Sequence, residues 1–273
     1  MHLLFLSRAK RFSPNNEERD AAILAAVVAR LRDAGHKVDV CDEAADWPTE
    51  GYDAVVSMAR SKAAIGRLCT MAADGVSIYN APAALQSDRI ALNALMHRAG
   101  VPVPPYAVYD AQTGVLPEVS FPLWLKCEGS STCSADDVRF IADAAALRGA
   151  LHGLSCGNRC LLSQHIVGDL IKFYGVEGTD FFAFTRPTAD GHGFSKFGLE
   201  RYNGAAHGYA FSTEALHKAT STAARATGIT IYGGDAIVCS GGDFYIIDFN
   251  DFPSFSSCRD AAASAIAQVV TKA

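Results

Sequence analysis

The stretch Ile231–Ser257 reads IYGGDAIVCSGGDFYIIDFNDFPSFSS, and it predicts the element around which the chain is organised. Two apolar runs, Ala236–Cys239 and Phe244–Ile247, flank the turn sequence Ser240–Asp243, as in two antiparallel strands joined by a tight turn. Side chains two residues apart on a strand point to the same face. We therefore expect a β-hairpin whose polar residues can be assigned to faces.

Three oxygen-bearing side chains stand at the base of this hairpin. Asp235 precedes the first apolar run, whereas Asp248 and Asn250 close the second and share a face. The short separation lets the strands fold back and bring all three to one end. Hard oxygen donors suit Mg²⁺, which takes one or two carboxylates and completes its octahedron with water and phosphates. The segment predicts a magnesium site, and a surface hairpin with solvated polar residues is the alternative.

These residues also carry a resemblance to a known family. The G-x-D motif ending at Asp235, the D-x-N motif of Asp248 and Asn250, and F-P-S-F at 252–255 resemble the last strands of the ATP-grasp superfamily. The resemblance implies that the three polar residues hold Mg²⁺, with Mn²⁺ as a substitute, on bound ATP. It also implies an α/β fold in which α+β ATP-grasp lobes follow a small doubly wound N-terminal domain.

Composition limits the class of protein. The chain has 273 residues, 49% hydrophobic and 19% charged, which is ordinary for a globular protein of two or three lobes. A net charge of −5 without long basic runs argues against nucleic-acid binding. No apolar run has the ~18–20 residues of a membrane span, and the start does not read as a signal peptide. Eight scattered cysteines without a C-x-x-C pair favour free thiols over disulfides or zinc, and hence a cytoplasmic protein.

Strands and helices alternate through the first part of the chain. Strands are predicted at 2–6, 37–41, 53–58 and 76–79, with helices at 16–34 and 62–73. This alternation predicts a small doubly wound α/β unit, in which ligands bind beyond the carboxyl ends of the strands. Five residues in those loops are candidates for contacting an anionic co-substrate: Ser7, Arg8, Lys10, Arg11 and Arg60. A solvated basic loop is the alternative.

A helix with clear start and stop signals follows the first unit. Ser87-Asp88 is the predicted N-cap, Arg89 opens the helix, and Gly100 ends it before V-P-V-P-P. This stretch resembles the ATP-grasp linker, which implies that Arg89 contacts the nucleotide phosphates. An ion pair with a nearby carboxylate is the alternative for Arg89.

A lysine and a run of small residues come next. Lys126 ends the predicted strand F-P-L-W-L-K, and Gly129, Ser130 and Ser131 follow it. The resemblance implies that Lys126 contacts the α- and β-phosphates and that the three small residues cover the triphosphate. A lysine supplies a point charge, and small residues leave backbone N–H groups free to line an anion site.

The strand L-L-S-Q-H-I leads into the hinge between the two expected lobes. The resemblance implies that Gln164, His165 and Ile166 hold adenine. Asp169 is the nearest carboxylate for the ribose, although its position is shifted by one residue from that of some ligases.

Three residues are candidates for catalysis. Lys172 matches a basic position that recurs in peptide-forming ligases and inositol-phosphate kinases of the fold, and an edge-strand lysine is the alternative. Arg201 and Asn203, in E-R-Y-N-G, resemble a loop that contacts an acyl phosphate.

The resemblance divides the chain into three units, at 1–84, 85–163 and 164–273, and implies an ATP-dependent carboxylate–amine ligase that forms an amide or peptide bond through an acyl phosphate. The expected partners are ATP, a small-molecule carboxylate and an amine, without nucleic acid or membrane, with the chain acting alone or as a homodimer. A small-molecule kinase of the inositol-phosphate type and a non-catalytic nucleotide-binding module are the alternatives.

Overall fold

The structure of the chain is a computed structural model that describes residues 1–13, 16–129, 137–152, 158–187, 202–203 and 205–272. The described strands form three four-stranded sheets, and each sheet is built from a separate part of the sequence. Helices accompany all three sheets, so the predicted α/β fold class is confirmed.

The first sheet is parallel. It contains β1 (His2–Ser7), β2 (Lys37–Asp42), β3 (Ala54–Ser57) and β4 (Ser77–Tyr79), in the order β2-β1-β3-β4, with α1 (Glu17–Asp33) and α2 (Lys62–Ala73) between strands. The side chains of Leu3, Leu4, Phe5 and Leu6 are all fully buried. A parallel strand covered on both faces needs such an unbroken apolar run, which is why the sequence pattern identifies β1 directly.

The second sheet is antiparallel. Before and within it lie α3 (Pro82–Gln86), α4 (Arg89–Arg98), β5 (Tyr106–Asp110), β6 (Leu123–Cys127), β7 (Val138–Ile141), α5 (Ala144–His152) and β8 (Arg159–Gln164), and the strand order is β5-β8-β6-β7. On β6 the side chains of Leu123, Leu125 and Cys127 are buried, whereas those of Trp124 and Lys126 are half-buried. This alternation turns one face of β6 to the core and the other to a cleft.

The third sheet is antiparallel as well. It contains β9 (Asp169–Val176), β10 (Phe182–Thr185), β11 (Ile231–Val238) and β12 (Phe244–Asp251), in the order β10-β9-β11-β12, with α6 (Thr213–Thr227) and α7 (Arg259–Thr271) beside it. The predicted hairpin is β11–β12, and its strands extend well beyond the two apolar runs. Asp235 consequently lies inside a strand, and not ahead of it.

The first unit is fastened to the third sheet by polar contacts. Arg60 forms a buried ion pair with Asp251, at the end of β12, and the Arg8 guanidinium donates to the carbonyl of Phe252 at 3.2 Å. The Asn80 carboxamide is fully buried and pairs with the backbone of Ile231, donating at 2.9 Å and accepting at 2.6 Å. The N-terminal unit therefore holds β11 at its start and β12 at its end.

Arg8 and Arg60 do not fit the role of anion contacts that their loops suggest. Arg8 donates to Asp20 at 3.1 Å, and Arg60 is paired with Asp251. Both guanidinium groups are thus neutralised by carboxylates in the junction between units. Sequence position locates these loops at the carboxyl ends of strands, but only the packing shows that acidic side chains from elsewhere meet them.

Among the described residues, no helix is long and apolar enough to cross a membrane. Cys41, Cys69, Cys160, Cys239 and Cys258 are free thiols, as expected. Cys127, however, is disulfide-bonded, so the expectation of free thiols is wrong for it. Scattered spacing in the sequence says nothing about which thiols the fold brings together.

We expect Gly234→Ala to destabilise the hairpin. A Cβ atom at Gly234 would overlap the Asp248 carbonyl oxygen and lie 2.6 Å from the Phe173 ring, so β11 and β12 would have to separate where their carboxylates face each other. Overpacking of this kind costs about 1–3 kcal/mol. The free energy of unfolding, measured by urea titration, should fall accordingly.

Gly241→Ala is the matched control, because a Cβ atom there meets nothing within 4 Å although Gly241 belongs to the turn of the same hairpin. Its unfolding free energy should stay within about 0.5 kcal/mol of the wild-type value. Equal losses in the two variants would contradict the assigned strand register.

Candidate active site

A row of charged side chains crosses the third sheet. In the strand register Asp235 of β11 is paired with Lys172 of β9 on one side and with Asp248 of β12 on the other. The Lys172 ammonium lies 3.1 Å from Asp235 Oδ1. Because cross-strand neighbours project to the same face, the three groups form one polar band on a sheet that is otherwise apolar. Lys172 is therefore on a central strand, and not on a sheet edge.

The predicted metal ligands Asp235, Asp248 and Asn250 lie together on this face. The Asn250 amide nitrogen donates to Asp248 Oδ2 at 2.9 Å, which leaves the amide oxygen of Asn250 unengaged by that contact. Two carboxylates at directly paired positions repel each other, and the single ammonium of Lys172 offsets only part of that charge. Within the described part of the chain no group of three His, Cys, Asp or Glu side chains is placed to hold a metal ion. Two carboxylates and one amide oxygen nevertheless fit Mg²⁺, which draws its other ligands from water and phosphates.

Lys126 reaches across the cleft from the second sheet to the third. Its ammonium donates a hydrogen bond to the carbonyl oxygen of Ile247 on β12. Desolvation lowers the pKa of Lys126 to about 8; the carboxylates of Asp248 and Asp235 oppose this shift, and the guanidinium of Arg89 adds to it. An anion entering the cleft would raise the pKa of Lys126 and replace the carbonyl as the partner of its ammonium.

Arg89 stands at the start of α4, where Asp88 caps the helix by accepting from the N–H of Ala91 at 2.7 Å. The guanidinium donates to the carbonyl of Cys127 at 2.8 Å, which ties α4 to the end of β6. An open cleft lies between α4, β6 and β12, and it is lined in part by Arg89, Lys126, Asp248 and Asn250.

Several predicted residues lie at or beyond the limits of the described chain. Gly129 is exposed at the end of the segment that follows β6. Ser130 and Ser131, predicted to cover the triphosphate, and Arg201, predicted to contact an acyl phosphate, lie outside the described residues. Their assignments stay predictions.

Two backbone N–H groups of the predicted adenine-binding hinge are engaged by carbonyls of neighbouring segments. The N–H of Gln164 donates to Pro105 at 2.9 Å, and that of His165 donates to Pro122 at 3.0 Å. The His165 ring accepts from the Trp124 indole at 3.0 Å, and burial lowers its pKa. Ile166 follows β8 and is half-buried. The N–H of Ile166 makes no such backbone hydrogen bond to another described residue.

Asp169, the candidate ribose ligand, is engaged in another way. It is 2% exposed and accepts from the backbone N–H groups of His207 and Tyr209, both at 2.7 Å, and from Arg186 at 3.1 Å. Burial by itself raises the pKa of this carboxyl, but the backbone donors and the charge of Arg186 outweigh burial and lower it. These contacts favour a structural role for Asp169, which holds 207–209 against the start of β9.

An aromatic group near the hinge was not anticipated from the sequence. The Trp124 ring contacts those of Phe140, His165 and Tyr202, and Phe140 and Tyr202 are stacked with centroids 4.5 Å apart. Asn203, a predicted catalytic residue, directly follows Tyr202 and so lies beside this group. The alternation of β6 could have revealed Trp124, because it is two residues from Lys126 and shares its face.

The chain is similar to known proteins in structure, whereas comparisons by sequence find no match. No protein-family model matches the chain, and no curated protein matches it. A RimK-domain ATP-grasp protein from Sphaerobacter thermophilus DSM 20745 superposes with a TM-score of 0.67 at 18% identity, covering 98% of this chain and 99% of that one.

Two structures of D-alanine–D-alanine ligase from Bacillus anthracis are also similar. One has a TM-score of 0.63 at 11% identity, with 100% of this chain and 99% of the ligase covered. The other, a complex with ATP, has a TM-score of 0.68 at 12% identity, with 99% and 96% covered. At such low identity the likeness concerns the fold alone, and it extends over essentially the whole of both chains. The protein described here therefore has the ATP-grasp fold.

Proposed function

We propose that this protein is an ATP-dependent carboxylate–amine ligase. The observation that carries the proposal is the composition of one cleft, where Arg89 and Lys126 face Asp248 and Asn250. Cations on one wall suit the phosphates of a nucleotide, and oxygen ligands on the other suit the divalent ion that accompanies them. The similarity to D-alanine–D-alanine ligase, one structure of which contains ATP, supports the same choice.

The reaction we propose has two steps. A carboxylate oxygen of the acid attacks the γ-phosphorus of ATP, the bond from that phosphorus to the β–γ bridging oxygen breaks, and ADP leaves. The amine then attacks the carbonyl carbon of the acyl phosphate, loses a proton to the surroundings, and expels phosphate to leave an amide. No nucleophile from the protein is required, because positioning and charge stabilisation account for most catalysis of phosphoryl transfer.

The proposed role of each site residue follows from its position in the structure. Lys126 and Arg89 would bind phosphate oxygens, and the backbone of Ile166 would meet the base. Lys172 lies next to Asp235 and would neutralise charge that develops on the transferred phosphoryl group. The Mg²⁺ that Asp235, Asp248 and Asn250 would hold supplies further screening of the phosphates. Arg201 and Asn203 remain candidates for contacts to the acyl phosphate.

The proposed function is tested with a trap that does not require the amine to be known. Candidate acids are incubated with ATP, Mg²⁺ and hydroxylamine, which attacks an acyl phosphate to give a hydroxamate. We expect hydroxamate and ADP in equal amounts with the correct class of acid. A phosphorylated hydroxyl compound would identify a kinase, and ATP binding without ADP release on any compound would identify a binding module.

We expect Asp248→Asn to lower ADP release by roughly a thousandfold or more while the fold is retained. The substitution preserves the volume of the side chain and removes the charge that attracts the metal. Asp243→Asn is the matched control, since Asp243 is exposed in the turn of the same hairpin and its turnover should be unchanged. Turnover of Asp248→Asn within a few-fold of wild type would reject the metal assignment.

The titration of Lys126 predicts how ATP affinity depends on pH. Its pKa of about 8 in the free protein is raised by bound phosphate, so ATP binds the protonated form best. The dissociation constant should be nearly constant below about pH 7.5 and should rise by up to about tenfold per pH unit above pH 8. Isothermal titration calorimetry across this range measures the dependence.

Lys126→Arg separates this titration from other groups, because a guanidinium stays charged throughout the range. The variant should bind ATP with little dependence on pH. Lys126→Met should bind about ten- to a hundredfold more weakly at neutral pH, since it loses a charge-assisted contact. Identical pH profiles in wild type and Lys126→Arg would assign the dependence to a different group.

A further inference from the structure

The cleft face of α4 carries a polar residue that no role described above uses. Four residues of this helix line the cleft, spaced as one helical face: Arg89, Leu92, Asn93 and Met96. Asn93 stands one turn after Arg89, between two apolar side chains. A leucine would suit this face and would favour the helix more than asparagine does. An amide at this position is therefore expected to have a hydrogen-bond partner.

The Asn93 amide nitrogen is shielded from solvent and has no hydrogen-bond partner among the described residues. The other polar groups of the cleft are engaged: Arg89 donates to Cys127, Lys126 to Ile247, and Asn250 to Asp248. A buried donor without an acceptor is costly, and most buried polar groups in folded proteins are paired. The cleft therefore lacks an acceptor oxygen at this point.

The charges around the cleft indicate which oxygen is missing. Arg89 and Lys126 line the same space, so an occupant that brings acceptors to this wall is anionic. A third cation would repel these two, whereas a neutral amide adds a hydrogen bond without adding charge. We propose that Asn93 is a phosphate-binding residue whose amide donates to a phosphoryl oxygen of ATP held between Arg89 and Lys126.

This inference rests on the proposed function for the identity of the nucleotide, and equilibrium binding tests it independently of turnover. Dissociation constants of adenosine, ADP and ATP with Mg²⁺ are measured by calorimetry for the wild-type protein and for Asn93→Leu. We expect roughly tenfold or greater loss of affinity for ADP and ATP and no change for adenosine. The melting temperature without ligand should stay constant or rise, because an unpaired buried donor is removed.

Arg98→Leu is the matched control. It places the same apolar residue in the last turn of α4, at an exposed position outside the cleft, and should leave all three affinities unchanged. Asn93→Ala repeats the measurement with a smaller side chain in case leucine does not fit. Loss of folding in both Asn93 variants would overturn the inference, because it would show that the amide stabilises the apoprotein.

Further outcomes of the binding measurements decide whether Asn93 contacts a phosphate. Unchanged ATP affinity in Asn93→Leu overturns the inference, since a water or nothing would then be the partner of the amide. An equal loss for adenosine and ATP overturns it too, by moving the contact away from the phosphates. A selective loss of ADP and ATP affinity in a protein that forms no hydroxamate would support the inference while rejecting the ligase. A wild-type chain that binds no ATP would overturn both proposals.

Discussion

The pairing of β11 with two neighbours is the constraint on which the site depends. Hydrogen bonding to β9 on one side and to β12 on the other sets Lys172, Asp235 and Asp248 in a line. A slip of one residue in either ladder would turn a charged side chain into the apolar layer beneath α6, so this register is strongly specified. The close approach of Gly234 to the Asp248 carbonyl belongs to the same arrangement, because only a residue without Cβ lets the strands meet there.

The cleft holds groups whose charge is costly to bury. Desolvation of Lys126 and the nearby charge of Arg89 both disfavour its ammonium, and the two carboxylates of the hairpin recover part of that cost. Asp235 is further neutralised by Lys172. The cations are directed to the backbone carbonyls of Ile247 and Cys127. Under the proposed function a phosphate would replace these carbonyls, because an anion is a stronger acceptor for a cation than a neutral carbonyl is.

The N-terminal unit contributes to the site by fixing the hairpin. Asn80 pairs with the first residue of β11, and Arg60 pairs with the last residue of β12. A buried ion pair adds little stability by itself, but breaking it by removing one partner leaves an uncompensated charge and is costly. The junction thus favours a single orientation of the hairpin relative to the first unit. The loop sequence predicts a basic surface at this junction. In the structure the charges of Arg8 and Arg60 are instead balanced by Asp20, Glu43 and Asp251.

The sequence by itself determined the elements with strong local signals. The buried run of β1, the helix between Asp88 and Gly100, and the hairpin with its Asp248 and Asn250 on one face all follow from periodicity, capping and turn chemistry, and these signals act over a few residues. They were enough to predict the α/β class and to bring Asp235, Asp248 and Asn250 together as candidate metal ligands. The ATP-grasp fold and the choice of Arg89 and Lys126 came from the resemblance of their motifs to that superfamily. Tertiary structure alone decided which groups meet across the chain. These contacts join residues that are far apart in sequence: Lys126 with Ile247, Asp169 with His207, and Arg60 with Asp251. The Asn93 amide, which has no partner among the described residues, also lies beside residues that are distant in sequence. Their roles depend on burial and on partners supplied by other strands, which no local pattern records.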